Sequence, residues 1–162
     1  MTVITHARRK SRLSRMIDKA GGVSVGVALT QARENLAVLR PKAMQEVSRH
    51  IDEMVAVPAP VDPADAIVRL EQVYRSANGV IDAAHAFDMA DVCAVALSLC
   101  DVVDRIASAL EAGGHDIDWR VVRVHGQSLR LLFSLPEDAL VERVQIRAQL
   151  ADMFTRKFAQ VG

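Results

Sequence analysis

Residues Val73 to Leu110 read VYRSANGVIDAAHAFDMADVCAVALSLCDVVDRIASAL, and this stretch decides the fold. Apolar side chains recur in it at spacings of three and four, first up to Phe87 and again from Val92 onward. That period is typical of amphipathic α-helices, each of which must bury its apolar stripe against a partner. The stretch therefore predicts a helical hairpin, and no part of the chain shows a competing strand pattern.

The segments on either side extend the helical pattern. Ser24 is a suitable N-cap for a long helix, in which Pro41 is expected to cause a kink or a break. The predicted segments are a basic N-terminal helix (1–22), the long helix (24–56), a proline-rich connection (57–63), the bundle core (64–134) and a last helix (136–160). The sequence thus predicts one all-α domain over residues 1–162, an up-and-down four-helix bundle with additional N-terminal and C-terminal helices.

Two of these helices carry apolar stripes that we expect to face the core. The stripe of the long helix is Val25, Ala28, Ala32, Leu36, Leu39, Ala43, Val47, Ile51 and Met54. The stripe of the last helix is Leu140, Val144, Ala148, Ala151, Phe154 and Phe158.

Charge and composition limit the classes of function. The net charge of the 162 residues is zero, which argues against a general nucleic-acid binder. Residues 1–20 nevertheless hold six basic side chains against one acidic, and residues 61–120 hold four basic against eleven acidic, so the hairpin lies in the acidic part. The sequence shows no signal peptide, disulfide framework or apolar run of membrane length, so we expect a cytoplasmic protein that does not associate with membranes.

The hairpin carries a recognisable set of residues. Tyr74, Arg75, Ser76 and Ala77 precede Asn78, an aromatic follows at Phe87, and the second arm contains Ser98-Leu99-Cys100. This pattern resembles that of histidine phosphotransfer (HPt) domains, in particular small all-helical ones from alphaproteobacteria. That family reads roughly F-R-x-A-H-x-x-K-G-x-x-x-x-F-G, followed by a helix ending S-L-C. The resemblance implies an HPt-like bundle and a place in two-component signalling.

The departures from that pattern concern the reactive group. The family's phosphorylated histidine falls on Asn78, its basic residue on Ile81, and its two glycines on Asp82 and Asp88. An asparagine amide nitrogen is not a useful nucleophile, because its lone pair is delocalised into the carbonyl. Ile81 offers no positive charge to a phosphoryl oxygen, and Asp82 would repel one. The resemblance therefore implies a non-catalytic module that binds a response-regulator receiver domain or a sensor kinase as an adaptor or regulator.

The expected interface lies on one flank of the first arm. At about 100° per residue, most of its members fall beside the core-facing Ala77, with Ile81 at the border of the core. The predicted partner-binding residues are Glu71, Arg75, Asn78, Ile81, Asp82 and His85. His85, two turns after Asn78, is the rival phosphoacceptor, so an active phosphotransfer protein that uses His85 stays open as an alternative. The other interpretation is that this flank is an ordinary solvated helix face.

The remaining histidine and cysteine residues are expected to have structural roles. His125 lies in an apolar stripe and is expected to be packed and hydrogen-bonded, whereas His50 lacks basic or glycine companions in the sequence. Cys93 and Cys100 are about 10 Å apart along one helix, beyond disulfide reach, and with His85 they fit no zinc pattern. We therefore expect no cofactor and no metal. The alternative from another class is a helical assembly protein, a homodimer formed through the long helix and the last helix.

Overall fold

Five α-helices make up the computed structural model, which describes residues 22–114 and 117–158. They are α1 (Val25–Ala56), α2 (Pro63–Ala84), α3 (Ala90–Glu111), α4 (Trp119–Ser134) and α5 (Leu140–Phe158), with a 3₁₀ turn at His85–Phe87 between α2 and α3. The described residues contain no β-strand. The protein is therefore all-helical in this part, as the sequence predicted. Residues 1–21 of the predicted basic helix lie outside the described residues.

The helix ends follow local capping chemistry. Asp62 caps α2, since its carboxylate accepts a hydrogen bond of 2.8 Å from the Asp65 backbone N–H, and Pro63 occupies the first turn. Asp118 caps α4 by accepting from the Arg120 N–H at 3.2 Å. Gly113 follows α3 with a φ of 85°, a conformation that glycine adopts without strain.

The structure divides into two compact units after Ala37. In the described residues of the first unit, the Ser24 hydroxyl accepts a hydrogen bond of 3.4 Å from the Val27 N–H, which agrees with the predicted N-cap. Every described residue from 22 to 37 is exposed, so the predicted burial of Val25 and Leu36 is wrong.

The second unit contains the core. Its closest association is the hairpin of α2 and α3, and α4 packs on α3. Burial along α1 begins only at Val47, and the predicted burial of Leu39 is wrong. Pro41 does not split α1, which is continuous from Val25 to Ala56. The buried apolar side chains include Val47, Ile51, Met54, Leu70, Val73, Ala77, Val80, Val92, Val95, Leu99, Val103, Val121, Leu129 and Leu132.

The first half of α5 differs from the prediction, whereas Phe154 and Phe158 of the predicted stripe do pack against the core. Leu140 and Val144, which were expected to face the core, are 67% and 63% exposed, and Leu150 is the buried residue among those described in α5. The reason is Arg143, whose guanidinium forms an ion pair of 2.6 Å with Asp91 at the start of α3. Placing Arg143 on the inner face of α5 turns Leu140 and Val144 aside. The helix also begins at Leu140, after a turn at 136–139, and not at the predicted residue 136.

Helix length and polarity bear on membrane insertion. None of the helices in residues 22–114 and 117–158 has both the length and the apolar character that a membrane-spanning segment requires.

Candidate partner-binding site

Asn78, the central residue of the predicted partner-binding set, lies on α2 and is half-buried. Its side-chain Nδ2 donates a hydrogen bond of 3.1 Å to the backbone carbonyl of Tyr74, one turn earlier. This bond holds the amide against its own helix and leaves part of the side chain in contact with solvent. The group at this position is an oriented, partly accessible amide with no nucleophilic lone pair.

The flank around Asn78 is polar and mostly exposed. Glu71 and Arg75 form an exposed ion pair, one turn apart on α2. Asp82 and His85 are also exposed. At about 100° per residue, Glu71, Asn78 and Asp82 lie within a narrow sector of α2, as the sequence predicted.

Ile81 differs from the other five predicted residues. It is half-buried and packs against the core cluster, which agrees with its predicted place at the border of the core. Only part of its side chain is therefore available to a partner. We call the set Glu71, Arg75, Asn78, Ile81, Asp82 and His85 the α2 flank.

His85 lies at the very end of this flank. Helix α2 ends at Ala84, and His85 opens the 3₁₀ turn that leads to α3. Its imidazole makes no hydrogen bond or ion pair to other residues of the described chain, and Asp88, three residues on, adopts a left-handed φ of 59°. An exposed imidazole is chemically able to accept a phosphoryl group, but no hydrogen bond or ion pair within the described residues orients this one.

His50 has a glycine and a basic companion, Gly79 and Arg49, and sequence analysis missed both. Its ring lies on Gly79 of α2, so closely that a Cβ at Gly79 would be 2.4 Å from two ring atoms. Its Nε2 is 2.9 Å from the guanidinium of Arg49, and its buried Nδ1 is 3.3 Å from a Glu53 carboxylate oxygen without a hydrogen bond. The ring is thus held in helix packing between α1 and α2. A glycine within a helical pattern was the available signal, because it often marks a close approach.

His125 is a structural residue, as predicted. It is fully buried, its Nδ1 lies 2.9 Å from the Val121 carbonyl oxygen, and its Nε2 lies 3.2 Å from the Ser98 hydroxyl. The carbonyl can only accept, so Nδ1 carries the proton and Nε2 accepts from Ser98. Burial lowers the pKa of His125, which favours the neutral ring.

The cysteines are free thiols on α3. Burial raises the pKa of Cys100 to about 11 and also raises that of Cys93, so neither is activated as a thiolate. Within the described residues, no three His, Cys, Asp or Glu side chains are grouped so that they could hold a metal ion.

Comparison with family models, with curated proteins and with solved structures found no match to this chain. The class that the structure establishes for residues 22–114 and 117–158 is all-helical. The resemblance to HPt domains stays a prediction from the hairpin residues.

Proposed function

We propose that this protein is a non-catalytic HPt-like module that binds a receiver domain or a sensor kinase through the α2 flank. In this proposal α1, α2, α3 and α4 correspond to the up-and-down four-helix bundle of the family, and α5 is the added C-terminal helix. The module acts as an adaptor or regulator in two-component signalling and relays no phosphoryl group.

The observation that carries the proposal is the state of Asn78. Its amide is partly accessible at the position that corresponds to the family's phosphohistidine, and it is oriented by the Tyr74 carbonyl. A receiver that docks there meets a hydrogen-bonding group in place of a nucleophile. The exposed Asp82 beside it adds a negative charge that opposes an incoming phosphoryl group.

Phosphotransfer assays test the missing chemistry. Wild-type protein mixed with a panel of phosphorylated receiver domains should take up no phosphate. Asn78→His combined with Ile81→Lys should gain labelling, because it restores the imidazole and the neighbouring cation. Labelling of the wild type that disappears in His85→Ala would replace this proposal with the active alternative.

Binding assays test the interface separately. At least one receiver or kinase domain should bind the wild type whether or not it is phosphorylated. Asp82→Arg should weaken that complex about tenfold, which corresponds to about 1.4 kcal/mol. The control is Glu142→Arg, the same charge reversal at an exposed acid of α5. Equal effects of the two variants, or no binding partner in the panel, would contradict the proposal.

A second candidate function is helical assembly, a homodimer formed through α1 and α5. It is favoured by the start of α5, where Leu140, Val141 and Val144 are 67%, 75% and 63% exposed. Contiguous exposed apolar side chains often mark protein interfaces. Sedimentation would show a stable dimer that Val141→Glu dissociates, whereas variants of the α2 flank would have no effect.

A further inference from the structure

Two cavities lie along one side of α5. The larger, about 700 Å³, is at the end of the second unit, where the turn between α2 and α3 meets the connection between α4 and α5. The smaller, about 420 Å³, lies between α3 and α5. Val144 and Arg147 line both cavities, so the two form one groove, which we call the α5 groove.

The floor of the groove is apolar and adaptable. The apolar residues of the larger cavity include Met44, Phe87, Met89, Phe133 and Leu140, and those of the smaller include Ala94, Val95 and Ala148. Methionine side chains fit varied apolar shapes, phenylalanine rings add apolar area, and a volume of several hundred Å³ is typical of small-molecule sites. An extended apolar chain suits this surface.

Most of the charged groups in the lining already have partners. Arg143 pairs with Asp91 and donates to the Leu132 and Leu135 carbonyls at 3.0 and 2.9 Å. Arg40 pairs with Glu137 at 2.5 Å. These pairs neutralise each other and offer a ligand no net charge.

Two charged side chains of the lining have no partner in the described residues, and they do not line the same cavities. Arg147 is exposed, has no partner in residues 22–114 and 117–158, and lines both cavities. Asp88 is an exposed carboxylate that lines only the larger cavity, at the turn after α2. The part of the groove shared by the two cavities therefore carries the positive charge of Arg147, and the negative charge of Asp88 belongs to the larger cavity alone.

We infer that the α5 groove binds a single-chain amphiphile with one anionic head group, a free long-chain carboxylate, with the head on Arg147 and the chain along the Met and Phe floor. The planar guanidinium of arginine matches a carboxylate in a two-point, charge-assisted contact. Asp88, which lines only the larger cavity, repels an anionic head there and so favours its placement on Arg147. This site is separate from the α2 flank and does not depend on the proposed function.

Calorimetric titration with dodecanoate, kept below its micelle concentration, tests the site directly. Wild-type protein should bind one dodecanoate saturably, and dodecyltrimethylammonium at least tenfold more weakly. Arg147→Gln should weaken dodecanoate binding about tenfold. Arg123→Gln is the control, because Arg123 is an exposed arginine of α4 that likewise has no partner in the described part of the chain. Equal affinities for the two detergents, or equal effects of the two variants, would overturn the inference.

A second pair of variants tests the groove wall without altering Arg147. Val144→Glu should abolish dodecanoate binding, because Val144 lines both cavities, whereas Val141→Glu should not, because Val141 lines neither. Both valines are exposed, so the fold should tolerate either change. Absence of saturable binding to the wild type overturns the inference. So does binding to anionic phospholipid vesicles without binding to free dodecanoate, which would indicate a membrane surface as the ligand.

Discussion

The hairpin of α2 and α3 and the last helix α5 are all amphipathic in sequence, but they are held in the structure by different forces. Helices α2 and α3 bury long stripes of apolar side chains, among them Val73, Val80 and Leu99. In α5, Leu150 alone among the described residues is buried. The hairpin therefore depends on apolar packing, whereas α5 combines half-buried side chains packed against the core, such as Ile146 and Phe154, with polar and cation–π contacts.

The polar and cation–π contacts lie at the two ends of α5. At its start, Arg143 binds Asp91 and the carbonyls at the end of α4. Near its end, Lys157 pairs with Asp118 at 3.0 Å, and the Arg105 guanidinium lies 4.9 Å from the centre of the Phe154 ring. Between these points α5 borders the α5 groove. An amphipathic pattern therefore predicts which side chains are buried only in helices that are held mainly by apolar packing.

The largest effect is expected where apolar packing in the hairpin of α2 and α3 is removed. Leu99→Ala should lower the free energy of unfolding by about 2–5 kcal/mol, because the side chain is fully buried and leaves a cavity. Leu97→Ala, two residues away on the same helix, should cost less than about 0.5 kcal/mol, since Leu97 is 54% exposed. Urea unfolding monitored by circular dichroism measures both. Equal losses would mean that the hairpin is not packed as described.

Replacing Arg143 tests the polar contacts that hold the start of α5. Arg143→Met should lower the free energy of unfolding by about 1.5–3 kcal/mol, because it leaves Asp91 and the α4 carbonyls without their donor. Amide hydrogen exchange should then accelerate in α5 more than in α2. The control is Arg147→Met, one turn further on, where an exposed arginine is removed and the loss should stay under about 0.5 kcal/mol.

Local sequence signals predicted the hairpin well. The three-and-four spacing between Val73 and Leu110 corresponds to α2 and α3, and the N-cap of α2 is an aspartate before a proline, which is also a local signal. Both signals act within a few residues of the chain. The position of the α2 flank was also predictable, because helical geometry alone places Glu71, Asn78 and Asp82 together.

Contacts between distant residues were not predictable in the same way. The inner face of α5 depends on Asp91, 52 residues before Arg143 in the chain. The packing of His50 depends on Gly79, which belongs to another helix. Neither contact produces a periodic pattern of residues in the sequence. The binding role of the α2 flank stays a prediction, since it depends on a partner.

His125 is a polar side chain that is fully buried in the apolar core. Its folded-state pKa is lowered by burial, so below the unfolded-state value of about 6.5 the unfolded chain binds a proton that the folded chain does not. This contribution to stability is therefore present above pH 6.5 and is lost as the pH falls towards the folded-state pKa. The slope from His125 should reach at most about 1.4 kcal/mol per pH unit.

Urea unfolding at several pH values measures that slope. His125→Gln should flatten it between pH 7 and 5. Asp118 titrates in a different window, because hydrogen bonds from Arg120 and Lys157 lower its pKa to about 2. Its stabilisation is lost only below about pH 4. An unchanged slope in His125→Gln would exclude the buried neutral ring as its cause.

The smallest expected effect examines how α1 approaches the hairpin. Gly79→Ala places a methyl group against the His50 ring, which must move, and it also gains up to about 1 kcal/mol in helix propensity. Removing the ring by His50→Ala should leave only the propensity term, so Gly79→Ala should then stabilise the protein by about 0.5–1 kcal/mol. The double-mutant cycle should give a coupling of about 1 kcal/mol between the two positions.

The sign of this coupling separates close packing from a loose contact. If the ring rests on Gly79 as described, Gly79→Ala is less favourable with His50 present than without it. Gly26→Ala is the control, because no atom would meet the added methyl group there, and its effect should not depend on His50. Equal effects of Gly79→Ala in both backgrounds would mean that the ring moves freely. The contact between α1 and α2 would then resemble the loosely packed side of α5 more than the tightly packed hairpin.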